Sequence, residues 1–360
     1  MRTRRQYFRS RNSSLFSSLL RSRAHLVAAC VPLLAISACE TSQSSKPQVS
    51  GTSALTQSGP TRLRPIIMIS GSLTDPFYAV FKKGAEDASA ALHVGLQYET
   101  ESDPNNETES AYVQLLDAAI TAKPSALLFS DLYPSADDPI LKHAAAAGLP
   151  IVENNTGAAR WRQNGAIAYI GQDETLAGQA AGRAEAAAGV KNGLCVQQWI
   201  SNPALTERCQ GYLSAMHAAG RRATTFVEPG QDGASDAATT SDIVGILRSH
   251  SNIDGIFTLG SGYALDALRA AQEAGRSIKV GTTDISTEVL SDVKSGRLLF
   301  TIDQQPYLQG YYSVMIAVDY VRYGLAPVGQ ITTGPLLITP KNVAVVQRVN
   351  QEHPGIRGAA

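Results

Sequence analysis

The feature that most constrains the fold is an alternation of short apolar runs with longer Ala-rich runs from residue 64 onward. Runs such as PIIMIS, SALLFS and GIFTLG have the composition of strands, whereas PFYAVFKKGAEDASAAL and YALDALRAAQEAG place apolar residues at helical spacing. Strands that alternate with helices indicate βαβ units and parallel sheets. The alternation restarts near AIAYIGQDE, and a body of about 300 residues exceeds a single core. We therefore predict an α/β fold with two doubly wound parallel-sheet lobes.

The N-terminal segment has the pattern of an export signal. Residues 1–38 hold seven arginines and no acidic residue, and they end in the short apolar stretch LVAACVPLLAISA. This stretch is too short for a membrane span, which needs about 20 apolar residues. ISAC at 36–39 resembles a bacterial lipobox, which implies lipidation of Cys39. An ordinary cleavage near Ala38 and a second, weaker candidate at Cys30 remain open.

Charge and composition limit the partners of the remaining chain. Without the seven N-terminal arginines, 24 basic residues stand against 31 acidic ones, a net charge near −7 with His neutral. No basic stripe for nucleic acid is present, so we expect no nucleic-acid partner.

Residues 39–63 are rich in Ser, Thr, Gln, Gly and Pro and predict a flexible tether. Membrane contact is therefore expected only through a lipid anchor.

Polar and aromatic side chains follow the predicted strands. Ligands of open parallel sheets bind outside the carboxyl ends of the strands, and amides, carboxylates and arginines there suit a ligand with many hydroxyls. Aromatic rings suit the apolar faces of a sugar ring. The residues in these positions that we select as ligand candidates are Asp75, Phe77, Tyr78, Asn154, Arg208, Asp284 and Gln304. We expect Asp131 and Tyr133, in another such loop, to lie on the surface instead.

Motifs in this order resemble those of periplasmic sugar-binding proteins of the ribose-binding type. DPFY, the strand end IVENN, TERCQGY, VGTTD and TIDQQPYLQG carry the resemblance, which covers residues 64 to about 345. The family often has Asp-Arg where this chain has Asn154-Asn155, and Asn-Asp where it has Gly260-Ser261. The resemblance implies a type I periplasmic-binding-protein fold with a three-strand hinge. It also implies that Asp75, Asn154, Arg208, Asp284 and Gln304 bind ligand.

The same resemblance implies a division into lobes and a mode of action. The expected segments are a signal peptide at 1–38, a tether at 39–63, an N-terminal lobe at 64–171 and 305–332, a C-terminal lobe at 172–304 and 333–345, and a C-terminal tail at 346–360. The lobes should close on a small sugar or polyol. A monomer in the periplasm or cell envelope would then deliver it to an ABC permease of the inner membrane.

Two other functions remain open at this point. One is a sensor of the same fold that delivers a small signal molecule to a membrane receptor. The other, less favoured, is an enzyme of doubly wound fold: the six His residues show no metal spacing, and no G-x-S-x-G elbow appears. We expect no catalytic residue, metal or cofactor. A repressor of related fold is excluded because the N-terminal 60 residues contain no helix-turn-helix pattern.

Two cysteines of the body predict a disulfide. Cys195 belongs to a predicted strand and Cys209 to the helix that follows it, 14 residues later. An exported compartment permits the bond, and closing a loop of this length would contribute about 3 kcal/mol. Two buried thiols are the alternative.

Overall fold

The computed structural model describes residues 63–101, 108–228 and 236–358. The predicted signal peptide, the proposed lipidation site Cys39 and the tether up to residue 62 lie outside these residues. No helix of the described part is long and apolar enough to cross a membrane.

The described chain alternates strands and helices along its length. The strands are β1 (Ile66–Ile69), β2 (Leu96–Glu99), β3 (Leu127–Phe129), β4 (Ile151–Asn154), β5 (Ala168–Gln172), β6 (Asn192–Gln197), β7 (Arg222–Val227), β8 (Gly255–Thr258), β9 (Lys279–Thr283), β10 (Thr301–Asp303), β11 (Ile331–Gly334) and β12 (Leu336–Ile338). The helices are α1 (Pro76–Leu92), α2 (Glu109–Thr121), α3 (Pro134–Ala146), α4 (Glu174–Ala187), α5 (Pro203–Ala218), α6 (Asp236–Ser249), α7 (Ser261–Glu273), α8 (Thr287–Ser295), α9 (Pro306–Tyr323) and α10 (Val343–Glu352).

The strands form two separate six-stranded sheets. The first has the order β11-β5-β4-β3-β1-β2 and is parallel throughout. The second has the order β12-β10-β9-β8-β6-β7, in which β12 is the one antiparallel edge strand. Apolar side chains of strands and helices pack on both faces of each sheet. The predicted α/β class with two doubly wound lobes is therefore confirmed.

The chain passes between the two sheets at three places. It leaves the first sheet after β5, returns to it between β10 and α9, and leaves it again between β11 and β12. Helix α9 completes the core of the first lobe, where Val314 and Ala317 pack with Phe81 of α1. Helix α4 belongs to the second lobe, where Ala177 and Ala181 pack with residues of α5. Three neighbouring connections of this kind can act as a hinge.

Glycines let two pairs of helices approach with their backbones in contact. A Cβ atom on Gly84 of α1 would lie 2.0 Å from the Tyr307 carbonyl oxygen of α9, and one on Gly310 would lie 2.0 Å from that of Phe81. In the second lobe a Cβ on Gly178 of α4 would lie 1.9 Å from the Arg208 oxygen of α5. Any larger residue at these positions would force the helices apart.

A disulfide joins Cys195 of β6 to Cys209 of α5, as expected from the sequence. The two Cα atoms are 5.7 Å apart, and both side chains are buried. The bond ties β6, the second strand from one edge of the second sheet, to the helix that carries Arg208.

The C-terminal segment is more structured than a tail that begins at residue 346. Helix α10 continues to Glu352, and Val343 and Val346 pack into the second-lobe core. Arg357 donates to the Asp303 carboxylate with an Nη2–Oδ2 distance of 2.7 Å. The predicted boundary between residues 345 and 346 therefore falls inside this helix.

Several carboxyl groups lie deep in the lobes. Glu185 of α4 is fully buried and accepts a hydrogen bond from the Tyr212 hydroxyl. Burial raises the pKa of Glu185 to about 8, with the Tyr212 bond acting in the opposite direction. Burial likewise raises the pKa of Asp137 in the first lobe to about 8. The folded chain therefore holds protons that the unfolded chain releases at lower pH.

We predict that the protein is more stable at about pH 5.5 than at about pH 8. Unfolding releases the Glu185 proton between the unfolded pKa of 4.5 and the folded value of about 8, so the free energy of unfolding falls as the pH rises through this range. Each pKa unit of difference corresponds to about 1.4 kcal/mol, which amounts to a few degrees of melting temperature. Thermal unfolding followed by circular dichroism measures this.

Glu185→Gln keeps an acceptor for Tyr212 but cannot ionise, so its melting temperature should change less between the two pH values. Glu273→Gln, at an exposed position on α7, is the matched control and should follow the wild-type profile. A Glu185→Gln profile as steep as that of the wild type would show that this carboxyl does not couple folding to proton binding.

Candidate functional site

The first-lobe part of the site begins where helix α1 follows strand β1. Asp75 caps this helix, and its Oδ1 accepts the Phe77 amide at 2.9 Å. Pro76 occupies the first helical position, where no amide hydrogen is needed. The Asp75 side chain itself is exposed. Its cap role therefore leaves carboxylate lone pairs available for another donor.

Phe77 and Tyr78 form an aromatic wall beside this cap. Their ring centroids are 4.9 Å apart in an edge-to-face arrangement, and Phe77 lies nearly parallel to Phe81 at 6.3 Å. Both rings are more than 90% buried. The Tyr78 hydroxyl donates to Asn155 Oδ1 at 3.2 Å. The two rings therefore belong to the first-lobe core, and Tyr78 is also held by a polar contact within that lobe.

Asn154 ends strand β4 and is fully buried. Its Oδ1 accepts from Ser130 Oγ at 2.7 Å, and Ser130 in turn contacts Ser70 Oγ at 2.6 Å. The three residues connect the carboxyl ends of β4, β3 and β1. Within the part of the chain that the structure describes, Asn154 Nδ2 is buried without a hydrogen-bond partner.

Arg208, in the first half of α5, is held in a buried ion pair. Its Nε donates to Glu174 Oε2 at 2.7 Å, and both side chains are at least 97% buried. Its Nη1 faces the Leu259 carbonyl oxygen at 3.5 Å. The sequence suggested a role toward ligand alone, whereas the structure adds a role in the fold. Removal of Arg208 would leave the Glu174 carboxylate buried and unpaired, at a cost of about 3–5 kcal/mol.

Asp284 and Gln304 meet at the ends of β9 and β10. Gln304 Nε2 donates to Asp284 Oδ1 at 2.7 Å, and Gln304 Oε1 is a further buried atom without a partner among the described residues. Burial raises the pKa of Asp284 to about 8, Arg208 lowers it, and Asp75 raises it. Asp75 of the first lobe and Asp284 of the second lobe therefore lie close enough to interact electrostatically.

The structure thus brings the sequence-selected residues to the facing strand ends of two lobes. Asp75, Phe77, Tyr78 and Asn154 lie in the first lobe, Arg208 and Asp284 lie in the second, and Gln304 lies at a crossing. Buried polar atoms without protein partners occur in both parts. Such atoms are costly unless another molecule satisfies them. Among the described residues, no group of three or more His, Cys, Asp or Glu could hold a metal ion.

Sequence reasoning missed Gln172 and Glu174. Gln172 Nε2 donates to Glu174 Oε2 at 2.8 Å, the same oxygen that binds Arg208. These residues follow strand β5 in the motif IGQDE, which we interpreted only as the break between lobes. The strand-end rule that selected Asp284 would have selected them as well.

The expectation that Asp131 and Tyr133 lie on the surface is wrong. Asp131 is fully buried and binds Arg160 Nη2 at 2.5 Å, and Tyr133 is 5% exposed. The Tyr133 ring lies 5.6 Å from the ring of Trp199, which belongs to the β6–α5 loop of the second lobe. The two loops bury each other across the lobes, which a sequence cannot show.

Comparison with known proteins identifies the family of this chain. The model of a periplasmic binding protein domain matches residues 66–325, so the chain belongs to this family. Its similarity to the xylose/arabinose-binding protein XylF of Sulfolobus acidocaldarius is 26% identity, over 77% of this chain and 71% of XylF. Its similarity to the ribose import binding protein RbsB of Haemophilus influenzae is 25% identity, over 70% and 84% of the two chains.

Solved structures of carbohydrate-transport proteins are also similar to this chain. A carbohydrate transporter from Acidothermus cellulolyticus, in complex with myo-inositol, aligns with a TM-score of 0.74 and 33% identity over 82% of this chain and all of its own. An ABC transporter solute-binding protein from Agrobacterium vitis, bound with α-D-tagatopyranose, aligns with a TM-score of 0.68 and 27% identity, over 81% and 97% of the two chains. The family implies an extracytoplasmic location, and these relatives are transport proteins rather than enzymes.

We predict that Tyr133→Ala loosens the contact between the lobes. An aromatic pair contributes about 0.5–1.5 kcal/mol beyond its buried area, so the closed arrangement should lose roughly two- to tenfold in population. The radius of gyration of the ligand-free protein, measured by small-angle scattering, should increase, and the Trp199 emission should shift to longer wavelength.

Tyr133→Phe is the matched control because it keeps the ring, and it should behave as the wild type. Trp161 serves as an internal reference, since it is 4% exposed within the first-lobe core. An unchanged radius and an unchanged spectrum in Tyr133→Ala would show that the ring contact does not hold the lobes together.

Proposed function

We propose that this chain captures a small sugar or polyol between its lobes and delivers it to an ABC permease. The observation that carries the proposal is the set of buried, unpartnered polar atoms at facing strand ends. Asn154 Nδ2 can donate, and Glu174 Oε1 and Gln304 Oε1 can accept. A hydroxyl both donates and accepts, so a ring with several hydroxyls can satisfy this mixture.

In this proposal, residues of both lobes contact the ligand. Phe77 stacks against the apolar face of the ring with Tyr78 edge-on beside it, while Asp75 and Asn154 bind hydroxyls from the first lobe. Arg208 and Asp284 bind from the second lobe, and Gln304 binds at the crossing. This assignment is supported by the positions of these residues and by the relatives in complex with myo-inositol, a cyclic polyol, and with α-D-tagatopyranose, a sugar.

Capture proceeds by closure of the hinge. The moving bodies are residues 64–171 with 305–332, and residues 172–304 with 333–345, the second extended by α10. A ligand that touches both lobes binds the closed arrangement more tightly, and it shifts the equilibrium by that difference in affinity. A monomer suffices for this mechanism, and neither a cofactor nor a catalytic group is part of it.

A thermal-shift screen against pentoses, hexoses and cyclic polyols tests the proposal. A specific ligand at a hundredfold excess over its Kd stabilises the protein by about 2.7 kcal/mol. Asp284→Asn should then weaken binding of the best ligand about tenfold, because the second carboxyl oxygen becomes an amide NH2 group that can only donate, while Oδ1 stays engaged by Gln304. Asn tolerates the positive φ of 70° at this position, so the backbone is kept.

Titration calorimetry measures the affinities, and Glu288→Gln, at an exposed position on α8, is the matched control with unchanged affinity. Absence of stabilisation by every sugar and polyol would overturn the proposed function. Equal affinity of Asp284→Asn and wild type would remove Asp284 from the site while leaving sugar capture intact.

We further propose that Cys39 is lipidated and holds the protein at the cell envelope. The support is the lipobox-like ISAC motif after a basic, then apolar segment. Cys39→Ser should abolish incorporation of radiolabelled fatty acid, because the acceptor thiol is removed. Cys30→Ser is the control and should still be labelled. Labelling that persists without Cys39, and disappears without Cys30, would move the acceptor to Cys30.

A further inference from the structure

Sugar capture gives a reason for an acceptor atom at Glu174, but not for a buried charge there. Glu174 occupies the first turn of α4, directly after the first crossing, and is 2% exposed. Its Oε2 accepts from both Arg208 Nε and Gln172 Nε2, whereas its Oε1 is one of the unpartnered buried atoms of the described chain. Burial raises the pKa of Glu174, and Arg208 opposes this shift.

The position of Glu174 relative to Arg208 is fixed by the backbones of α4 and α5. A Cβ on Gly178 would come within 1.9 Å of the Arg208 carbonyl oxygen, and one on Gly211 within 2.3 Å of the Thr175 oxygen. The two helices therefore cannot slide or separate without losing this contact. Cys209, next to Arg208, is tied to β6 by the disulfide. Helix packing and the disulfide thus fix the positions of both members of the ion pair within the second lobe.

This pairing changes what Arg208 can bind. An arginine recognises a carboxylate best through two parallel N–H donors, but the Nε of Arg208 already donates to Glu174 and its Nη1 faces the Leu259 carbonyl oxygen. Asp284 also interacts electrostatically with Arg208. Glu174 and Asp284 are thus two carboxyl groups that interact with this guanidinium. A ligand carboxylate buried beside Arg208 would have to share this guanidinium with Glu174 and would be expensive to desolvate.

We propose that Glu174 is a specificity-determining residue: by engaging Arg208 it makes the cleft accept uncharged polyhydroxyl rings and reject sugar acids of the same shape. The proposal rests on the proposed function. A hydroxyl can donate to Glu174 Oε1 while it accepts from an Nη group of Arg208, whereas an ionised carboxylate has no proton to donate. The selection is therefore one of charge and hydrogen-bond polarity rather than of size.

The test compares ligands that differ in charge at nearly constant shape. Glucuronate and galacturonate are each compared with their amides, glucuronamide and galacturonamide, and with the parent glucose, galactose, xylose and arabinose. Titration calorimetry gives the affinity ratio of amide to acid for the full chain. We expect the wild type to bind at least one amide roughly tenfold or more tightly than its acid.

Three variants separate charge from structure. Glu174→Gln removes the charge but keeps an acceptor, and it should reduce the amide-to-acid ratio roughly tenfold. Glu174→Asp keeps the charge and should keep the ratio, even where overall affinity falls. Glu207→Gln removes a half-buried carboxyl that lines the neighbouring surface of α5, and it should leave the ratio unchanged.

Each outcome decides between the two proposals. Equal binding of acid and amide by the wild type, or an unchanged ratio in Glu174→Gln, overturns the role of Glu174 and leaves sugar capture intact. Neutral sugars that bind while both amides and both acids fail would show that shape excludes the acids, which also overturns it. Absence of binding by every neutral compound overturns the proposed function and this inference with it. Where Glu174→Gln does not fold, the wild-type and Glu174→Asp ratios decide.

Discussion

The contact of helix backbones at glycines is the constraint on which both halves of the site depend. Each lobe contains one helix that begins directly after a crossing, α9 in the first and α4 in the second. Each of these helices packs against the helix that carries proposed ligand residues, α1 or α5, at glycines that leave no room for a Cβ. The hinge end and the binding end of a lobe are therefore one rigid body, and motion is confined to the short crossings.

This rigidity makes the buried charges of the cleft tolerable. The Arg208–Glu174 pair is stable only while geometry is maintained, because a buried ion that loses its partner costs several kcal/mol. Gln172, the last residue of β5, donates to the same carboxylate oxygen from the first-lobe side of the crossing. The pair is thus supported from both sides of the hinge. Rotation about the crossing has to keep this bond or exchange it for another.

The sequence predicted the fold because its period changes regularly between strand and helix. It predicted Asp75, Arg208, Asp284 and Gln304 as candidates because parallel strands end at the same edge of a sheet. The residues that follow these strands in the sequence therefore lie close together at that edge. It did not reveal the partner of Arg208, since Glu174 is 34 residues away and meets it only through helix packing. Tyr133 was misplaced for a related reason: a loop that would be exposed in one lobe is covered by Trp199 of the other.

The crossings also impose an order of assembly on the chain. Helix α9 contacts α1 across sequence separations of 220 and 230 residues, where the Tyr307 hydroxyl donates to Asp87 at 3.0 Å and Arg322 donates to the Leu92 carbonyl oxygen. The second lobe lies between them as one nearly continuous insert. Loop-closure entropy opposes the joining of such distant segments, but a folded insert brings its own two ends together. We therefore expect the second lobe to fold before the other lobe. Once folded, it would hold the distant segments of the first lobe close together.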